Sequence, residues 1–322
     1  MKGIILALVL TVAGSVNSAP QFQVDVGKTL LYSYKGEALT GLEDETSGNA
    51  GLKFALDLKL YGINTKRFSL MLSNPKVEDC IGKSFVRSPK QTQEFEQCCH
   101  FPTEIEMYGK NIGKIYFARN TPRFCRNIIR GVVGMFKITY KEDKTYEVQE
   151  SGIQGDCDAK YTVNENGKSD WITITKSKNL MNCKKKVVQN IGMSYIHALP
   201  FCPMKNRLLV GVLVSEHKVK FENNTILIGK AEANELYKVS PGSDSETPVI
   251  LKATQELTLT GVKIDNPEQR RQQQQQRQQQ QALWPQAQDE GRENIYYEFP
   301  DQPRMAVTVM ETRNIAEQVE NV

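Results

Sequence analysis

The stretch Leu52-Lys53-Phe54-Ala55-Leu56-Asp57-Leu58-Lys59-Leu60 constrains this chain more than any other feature. Every even position is a large apolar residue, and three of the four odd positions are charged. Successive side chains of a strand point to opposite faces, so the pattern predicts a strand with one buried and one wet face. Similar stretches recur at 29–34, 68–72, 113–118, 171–175, 207–214, 225–228 and 249–259. Turn-like punctuation separates many of them: Ser73-Asn74-Pro75, Asn164-Glu165-Asn166-Gly167, Glu222-Asn223-Asn224 and Pro241-Gly242-Ser243-Asp244. So many antiparallel strands predict a mainly β fold, a large antiparallel barrel-like sheet. One segment departs from it. Over 122–136 the apolar residues Phe124, Ile128, Ile129, Val132, Val133, Met135 and Phe136 fall close to helical spacing, with Arg123, Arg126 and Arg130 near the other face. Thr121-Pro122 reads as an N-cap followed by an N1 proline, and a single helix among strands plugs the barrel.

The N-terminus sets the compartment. Lys2 precedes an apolar run at 4–13 broken only by Thr11, and the small residues Gly14, Ser15, Ser18 and Ala19 follow. Residues 1–19 read as a secretory signal peptide, too short for a membrane span. No later stretch approaches the ~20 apolar residues a bilayer needs, so a secreted, extracellular protein without a transmembrane segment is expected. Secretion makes disulfides the default for the seven cysteines, Cys80, Cys98, Cys99, Cys125, Cys157, Cys183 and Cys202. Seven cannot all pair within one chain. It also makes Asn223-Asn224-Thr225 a glycosylation sequon at Asn223, sensible only on an exposed turn.

Enzyme and cofactor signals are weak. Gly109-Lys110-Asn111-Ile112-Gly113-Lys114 is one residue short of a phosphate loop and reads as two turn glycines. Cys98-Cys99-His100 lacks a second Cys/His pair at zinc spacing, so no metal site is assigned. No Gly-x-Ser-x-Gly elbow occurs, and no histidine stands in a nucleophile setting. With 41 Lys+Arg against 37 Asp+Glu, the net +4 over 322 residues does not mark a nucleic-acid binder, so any basic function is local. Local basicity exists: Lys176, Lys178, Lys184, Lys185 and Lys186 fall within eleven residues that contain no acid. Lys176 and Lys178 lie two apart and project on one strand face. Two readings stand: a solvated edge whose lysines discourage strand addition, or a docking patch for an acidic partner.

After Asn266-Pro267 the composition shifts. Positions 269–281 hold ten glutamines, interrupted by Arg270, Arg271 and Arg277, which predicts a disordered linker. The organisation expected is a signal peptide at 1–19, a β-barrel at 20–266, a Gln-rich linker at 267–292 and the start of a truncated helical domain at 293–322. That last part includes a strand-like Ile295-Tyr296-Tyr297-Glu298-Phe299.

The block Glu150-Ser151-Gly152-Ile153-Gln154-Gly155-Asp156-Cys157, then Tyr161-Thr162-Val163, Ile174-Thr175-Lys176-Ser177-Lys178-Asn179-Leu180 and Asn182-Cys183, resembles vitellogenin. Asn127-Ile128-Ile129-Arg130-Gly131 and the opening Met1-Lys2-Gly3-Ile4 look like the same family, whose wider group is the large lipid-transfer proteins. The likeness runs to about Phe299. It implies an N-terminal barrel-like sheet with a helix set in it, a Cys157–Cys183 disulfide, and lipid transport with yolk storage as the function. It also implies a receptor-binding stretch at Thr175, Lys176, Ser177, Lys178 and Leu180, extended here to Lys184, Lys185 and Lys186. The implied partner is a receptor of the low-density-lipoprotein type, whose acidic modules suit ammonium groups. Departures matter too. No cysteine follows Cys202 within Pro203-Met204-Lys205-Asn206, Asn179 stands where relatives commonly carry an acid, and the family's long helical domain and lipid-lining sheets are missing. Two bridges and one thiol are therefore expected among Cys80, Cys98, Cys99, Cys125 and Cys202. No cofactor is expected, and lipid only in a full-length family member. A different reading is a structural or clotting-type secreted protein of the same superfamily, cross-linked through the Gln-rich tract.

Overall fold

The alternation at 52–60 becomes a strand whose even residues, from Leu52 to Leu60, are all buried. In this computed structural model the described residues are 19–42, 49–108, 111–118, 121–165, 169–184, 208–222, 224–239 and 248–266, with 167, 268, 271, 272 and 275. In chain order the strands are β1 Gln21–Phe22, β2 Lys28–Leu42, β3 Asn49–Asn64, β4 Arg67–Gly82 and β5 Ser84–Arg87. Helix α1 (Pro89–Glu96), β6 (Thr103–Tyr108), β7 (Asn111–Tyr116) and helix α2 (Arg123–Gly134) follow. Next come β8 Thr145–Gly152, β9 Gly155–Glu165, β10 Ile172–Asn179, β11 Leu208–Glu222, β12 Thr225–Val239 and β13 Val249–Ile264. They form one 13-stranded sheet in the order β7-β6-β4-β3-β2-β13-β12-β11-β10-β9-β8, with β1 beside β12 and β5 beside β4.

Several strands outrun their predicted limits, and β4 shows why. Ser73-Asn74-Pro75, read from sequence as a turn, is a bulge inside β4: Ala55 pairs with Lys76 but Asp57 with Ser73. Asn74 takes φ 53°, which asparagine tolerates, and its amide donates to Asp57 Oδ2 at 2.7 Å. Pro75, lacking an N–H, sits where the ladder is already interrupted. The signal at Glu222-Asn223-Asn224 is a hairpin as expected. Glu222 pairs with Thr225 and the exposed Asn224 takes φ 63°, while Asn223 lies outside the described residues.

Helix α2 starts one residue later than predicted, with Pro122 rather than Thr121 in the N-cap place. Its apolar side chains Ile128, Ile129, Val132 and Val133 are buried, and so is Arg130, which sequence placed near the other face. The Arg130 guanidinium lies 4.9 Å from the Phe117 ring just after β7 and donates to Asn127 Oδ1. Beyond the helix, Phe136 stacks on Phe22 at 4.8 Å and meets Tyr32 of β2 edge-on at 5.3 Å. Met135 reaches β11, its carbonyl 3.1 Å from His217 Nε2. Contacts to β2, β11 and the end of β7 together place α2 inside the curl of the sheet. This is the helix-filled, mainly β architecture the alternation predicts.

Of the cysteines, Cys157–Cys183 and Cys98–Cys125 are bridged, and Cys80 and Cys99 are free thiols. One bridge therefore forms among the described members of the remaining set, and Cys202, its fifth member, lies outside the described residues. Cys98–Cys125 ties the turn after α1 to α2. Residues 1–18 of the expected signal peptide (1–19), the sequon Asn223, Lys185, Lys186 and residues 276–322 also lie outside. Within the Gln-rich segment the described residues Glu268, Arg271, Gln272 and Gln275 have helical backbone, and the rest of the expected linker lies outside the described residues. Gln, Glu and Arg are good helix formers, which suits these four positions.

Candidate functional site

Strand β10 carries the first two lysines of the basic block, and alternation sorts its side chains into two sets. Ile174, Lys176, Lys178 and Leu180 are buried, whereas Thr175 and Ser177 are half-buried and Asn179 is exposed. The strand is not an edge, because β9 and β11 pair with it on either side. Lys176 and Lys178 thus point into the curl with only 5% of their surface exposed, contrary to both sequence readings. The physical reason is the company they keep on that face. Ile174 before them and Leu180 after them face the core, and a period-two strand cannot turn two residues out between two that turn in.

Buried ammonium groups need counter-charge, and the sheet supplies it. Glu150 on β8, only 2% exposed, sits with Oε2 3.0 Å from Lys178 Nζ and 3.6 Å from Lys176 Nζ. Its other oxygen accepts from the Tyr161 hydroxyl on β9. Lys176 also donates to the Lys137 carbonyl at 3.0 Å, and Lys137, itself buried, donates to the Ser151 carbonyl. Lys137 and Met135 follow the C-terminus of α2, where the helix dipole favours cations. Next door on β12, buried Glu235 accepts from the Gln154 amide at 3.0 Å and from the Tyr237 hydroxyl at 2.8 Å.

The protonation pattern follows. Burial alone would raise the Glu150 carboxyl, but the charges of Lys176, Lys178 and Lys137 outweigh it and hold the group well below the usual carboxylate range. Burial pushes Lys176 and Lys137 down to about 8, with Glu150 pulling each back up. Burial, with Lys176 second, pushes His217 down to about 3, so the ring is neutral. Its Nε2 faces the Met135 carbonyl and therefore carries the proton, leaving Nδ1 as a bare acceptor. The cluster is an anion, a neutral Tyr161 donor, Lys176 and Lys137 still mostly protonated at neutral pH, and Lys178 paired with Glu150. Sequence reasoning missed Glu150, Lys137 and His217 as its members, because they come from three different elements. The flanking Ile174 and Leu180 were the available signal.

The exposed part of the basic block lies just beyond. After β10 a tight turn over Leu180–Asn182 leads to Cys183, whose bridge to Cys157 pins the segment against β9. Lys184 and Asp156 exchange two backbone hydrogen bonds, at 2.7 and 2.8 Å, and the Lys184 side chain is exposed. The disulfide implied by the resemblance is therefore present. It delivers Lys184 to the surface beside Asn179 and Met181, both exposed.

Comparison with known proteins places this architecture. Residues 25–267 match the family model "Vitellogenin N-terminal domain", a span that takes in β2 through β13. Vitellogenin-2 of Gallus gallus is 36% identical over 272 residues, covering 82% of this chain and 14% of that protein. Vitellogenin-A2 of Xenopus laevis is 26% identical over 320 residues, 98% of this chain and 17% of that protein. A solved structure described as lipid–protein interactions in lipovitellin superposes with a TM-score of 0.71 at 25% identity, covering 86% of this chain and 28% of that one. The chain spans between about a seventh and a sixth of the length of these vitellogenins. On the family match from β2 through β13, the chain belongs to the vitellogenin N-terminal domain family.

Proposed function

We propose that this chain is the N-terminal region of a secreted yolk precursor that transports lipid and serves as a nutrient reservoir, and that its barrel docks to a receptor of the low-density-lipoprotein type. The observation that carries the first part is the family match over 25–267, joined to a fold shared with a lipovitellin. The signal-like N-terminus supports secretion, and no described helix is long and apolar enough to cross a membrane. Lipid carriage is assigned to the longer protein. The curl of this sheet is filled by α2 and by its own buried side chains.

For docking, the burial of Lys176 and Lys178 moves the charge to the end of the block. Lys184 is exposed and disulfide-pinned, and Lys185 and Lys186 continue the run without an acid. Thr175 and Ser177 contribute from the outward face of β10. The test is binding to isolated acidic repeats of such a receptor. Changing Lys184, Lys185 and Lys186 together to Glu should weaken binding at least ~10-fold, and added salt should weaken the parent, since exposed charges are screened beyond ~8 Å. Unchanged affinity in a folded triple variant removes the docking role. The yolk-precursor reading is tested apart from it, by recovery of this sequence in secreted, lipid-loaded particles.

A further inference from the structure

We infer that the interior of the sheet holds a small inorganic anion of chloride size, bound between Lys176, Lys178 and Ser215. A cavity of about 50 Å³ opens beside these side chains, lined also by Lys137, Gln255 and His217. By this measure a water needs about 10–15 Å³, so the space admits an anion and a water.

Three observations converge on it. The first is charge. Lys137, Lys176 and Lys178 bring three buried ammonium groups, facing the buried Glu150 and Glu235 and, beside Lys137, the half-buried Asp156. Lys176 and Lys178 share the Glu150 carboxylate, so two ammonium groups face one carboxylate where the cavity opens, and an anion there evens that pairing.

The second is hydrogen-bond supply. Three lysines present nine N–H donors, and Gln255, whose Oε1 accepts from Tyr34, keeps its amide N–H groups as donors on the same wall. The acceptors they are seen to use are the carbonyls of Lys137 and Ser151 and the Glu150 carboxylate.

The third is where unmet polar atoms collect. Among the described residues, the buried side-chain atoms without a hydrogen-bond partner are Ser69 Oγ, Glu150 Oε2, Ser215 Oγ and His217 Nδ1. Ser215 and His217 line this cavity, and Glu150 Oε2 lies within ion-pair distance of its lysines without an aligned hydrogen bond. Ser215 is 3% and His217 1% exposed, so bulk solvent does not serve them. An anion accepts from the Ser215 hydroxyl and the two ammonium groups. The bare His217 Nδ1 repels an anion directly, so the accompanying water donates one hydrogen to it and the other to the ion. Glycines 131, 134 and 152 on the rim leave the space clear of side chains.

The experiment uses the intact chain. Crystals grown or soaked in bromide should show an anomalous peak in contact with Lys176 Nζ and Lys178 Nζ. Exchanging chloride for gluconate at constant ionic strength should lower Tm by several degrees, because a ligand that binds only the folded state stabilises it. A water at this position while surface bromide sites are filled overturns the inference. So does a Tm indifferent to the exchange. Both readouts use the parent protein, so a lysine variant that fails to fold does not enter the decision.

Discussion

Glu150→Gln is the most informative single change in this molecule. It keeps the side chain's shape and its ability to accept from Tyr161, and it removes only the charge. In the parent, Lys176 sits near 8 rather than 10.5 even with Glu150 beside it. At 1.36 kcal/mol per unit that displacement already costs about 3 kcal/mol at neutral pH. Removing one partner of a buried pair typically costs a further ~3–5 kcal/mol, because the other charge is left uncompensated. The variant should therefore lose about 3–5 kcal/mol at pH 7, read from the urea midpoint with an unchanged slope. The pH dependence separates this from a packing defect. Lys176 and Lys137 release their protons near 8 when folded and near 10.5 when unfolded. Between those values the unfolded chain holds more protons, so stability rises with pH. Without Glu150 the folded values fall further and the rise steepens. At about pH 9.5 the variant should recover a substantial part of its deficit relative to the parent. The measurement stays below pH 10, where Tyr32 and Tyr34, pushed far up by burial, begin to reverse the slope. A loss under about 1 kcal/mol, or an equal loss at both pH values, would refute the electrostatic account of the cluster.

Three other changes test separate parts of the structure. Replacing Cys157 and Cys183 by Ser opens a loop spanning 26 positions and should cost about 3 kcal/mol. Amide exchange at Lys184 should quicken in the same variant, and protected exchange there would show that the bridge does not pin the segment. Gly62→Ala would set a Cβ 2.4 Å from the carbonyl oxygens of both Val24 and Asp25. A loss of about 1–3 kcal/mol is expected, against an unchanged midpoint if the backbone yields freely. His217 protonates near 3 when folded and near 6.5 when unfolded, so stability should fall as pH drops through that window. From about pH 6.5 to 4.5 its share is about 2–3 kcal/mol, and His217→Gln should flatten that acid limb by the same amount. An acid limb of the same depth in the variant would assign the loss to other groups.

Much of the fold was legible because strands and helices are written in local periodicity. The even apolar residues from Leu52 to Leu60 needed only a two-residue repeat to be read, and Phe124 to Phe136 only a helical one. Turn signals were less secure. Ser73-Asn74-Pro75 has the composition of a chain reversal, yet β3 runs past it and accommodates it as a bulge, which only a pairing partner can decide. The disulfide at Cys157–Cys183 came from resemblance, whereas Cys98–Cys125 depends on α2 lying against the turn after α1 and had no sequence signature.

The basic block divides the two kinds of information most sharply. From sequence alone it follows that Lys176 and Lys178 share a face with Ile174 and Leu180, that five lysines cluster without an acid, and that Lys184 directly follows a cysteine. Which face is interior was decided by tertiary structure. Glu150 stands 26 positions before Lys176 and reaches it only because β8, β9 and β10 lie side by side, with Lys137 arriving from the end of α2. A charge is tolerated inside when its counter-charge and hydrogen bonds are in place, and those partners come from distant parts of the chain. The net charge and the lysine run were local facts. Their separation into a buried structural pair and an exposed, disulfide-pinned remainder belongs to the folded sheet.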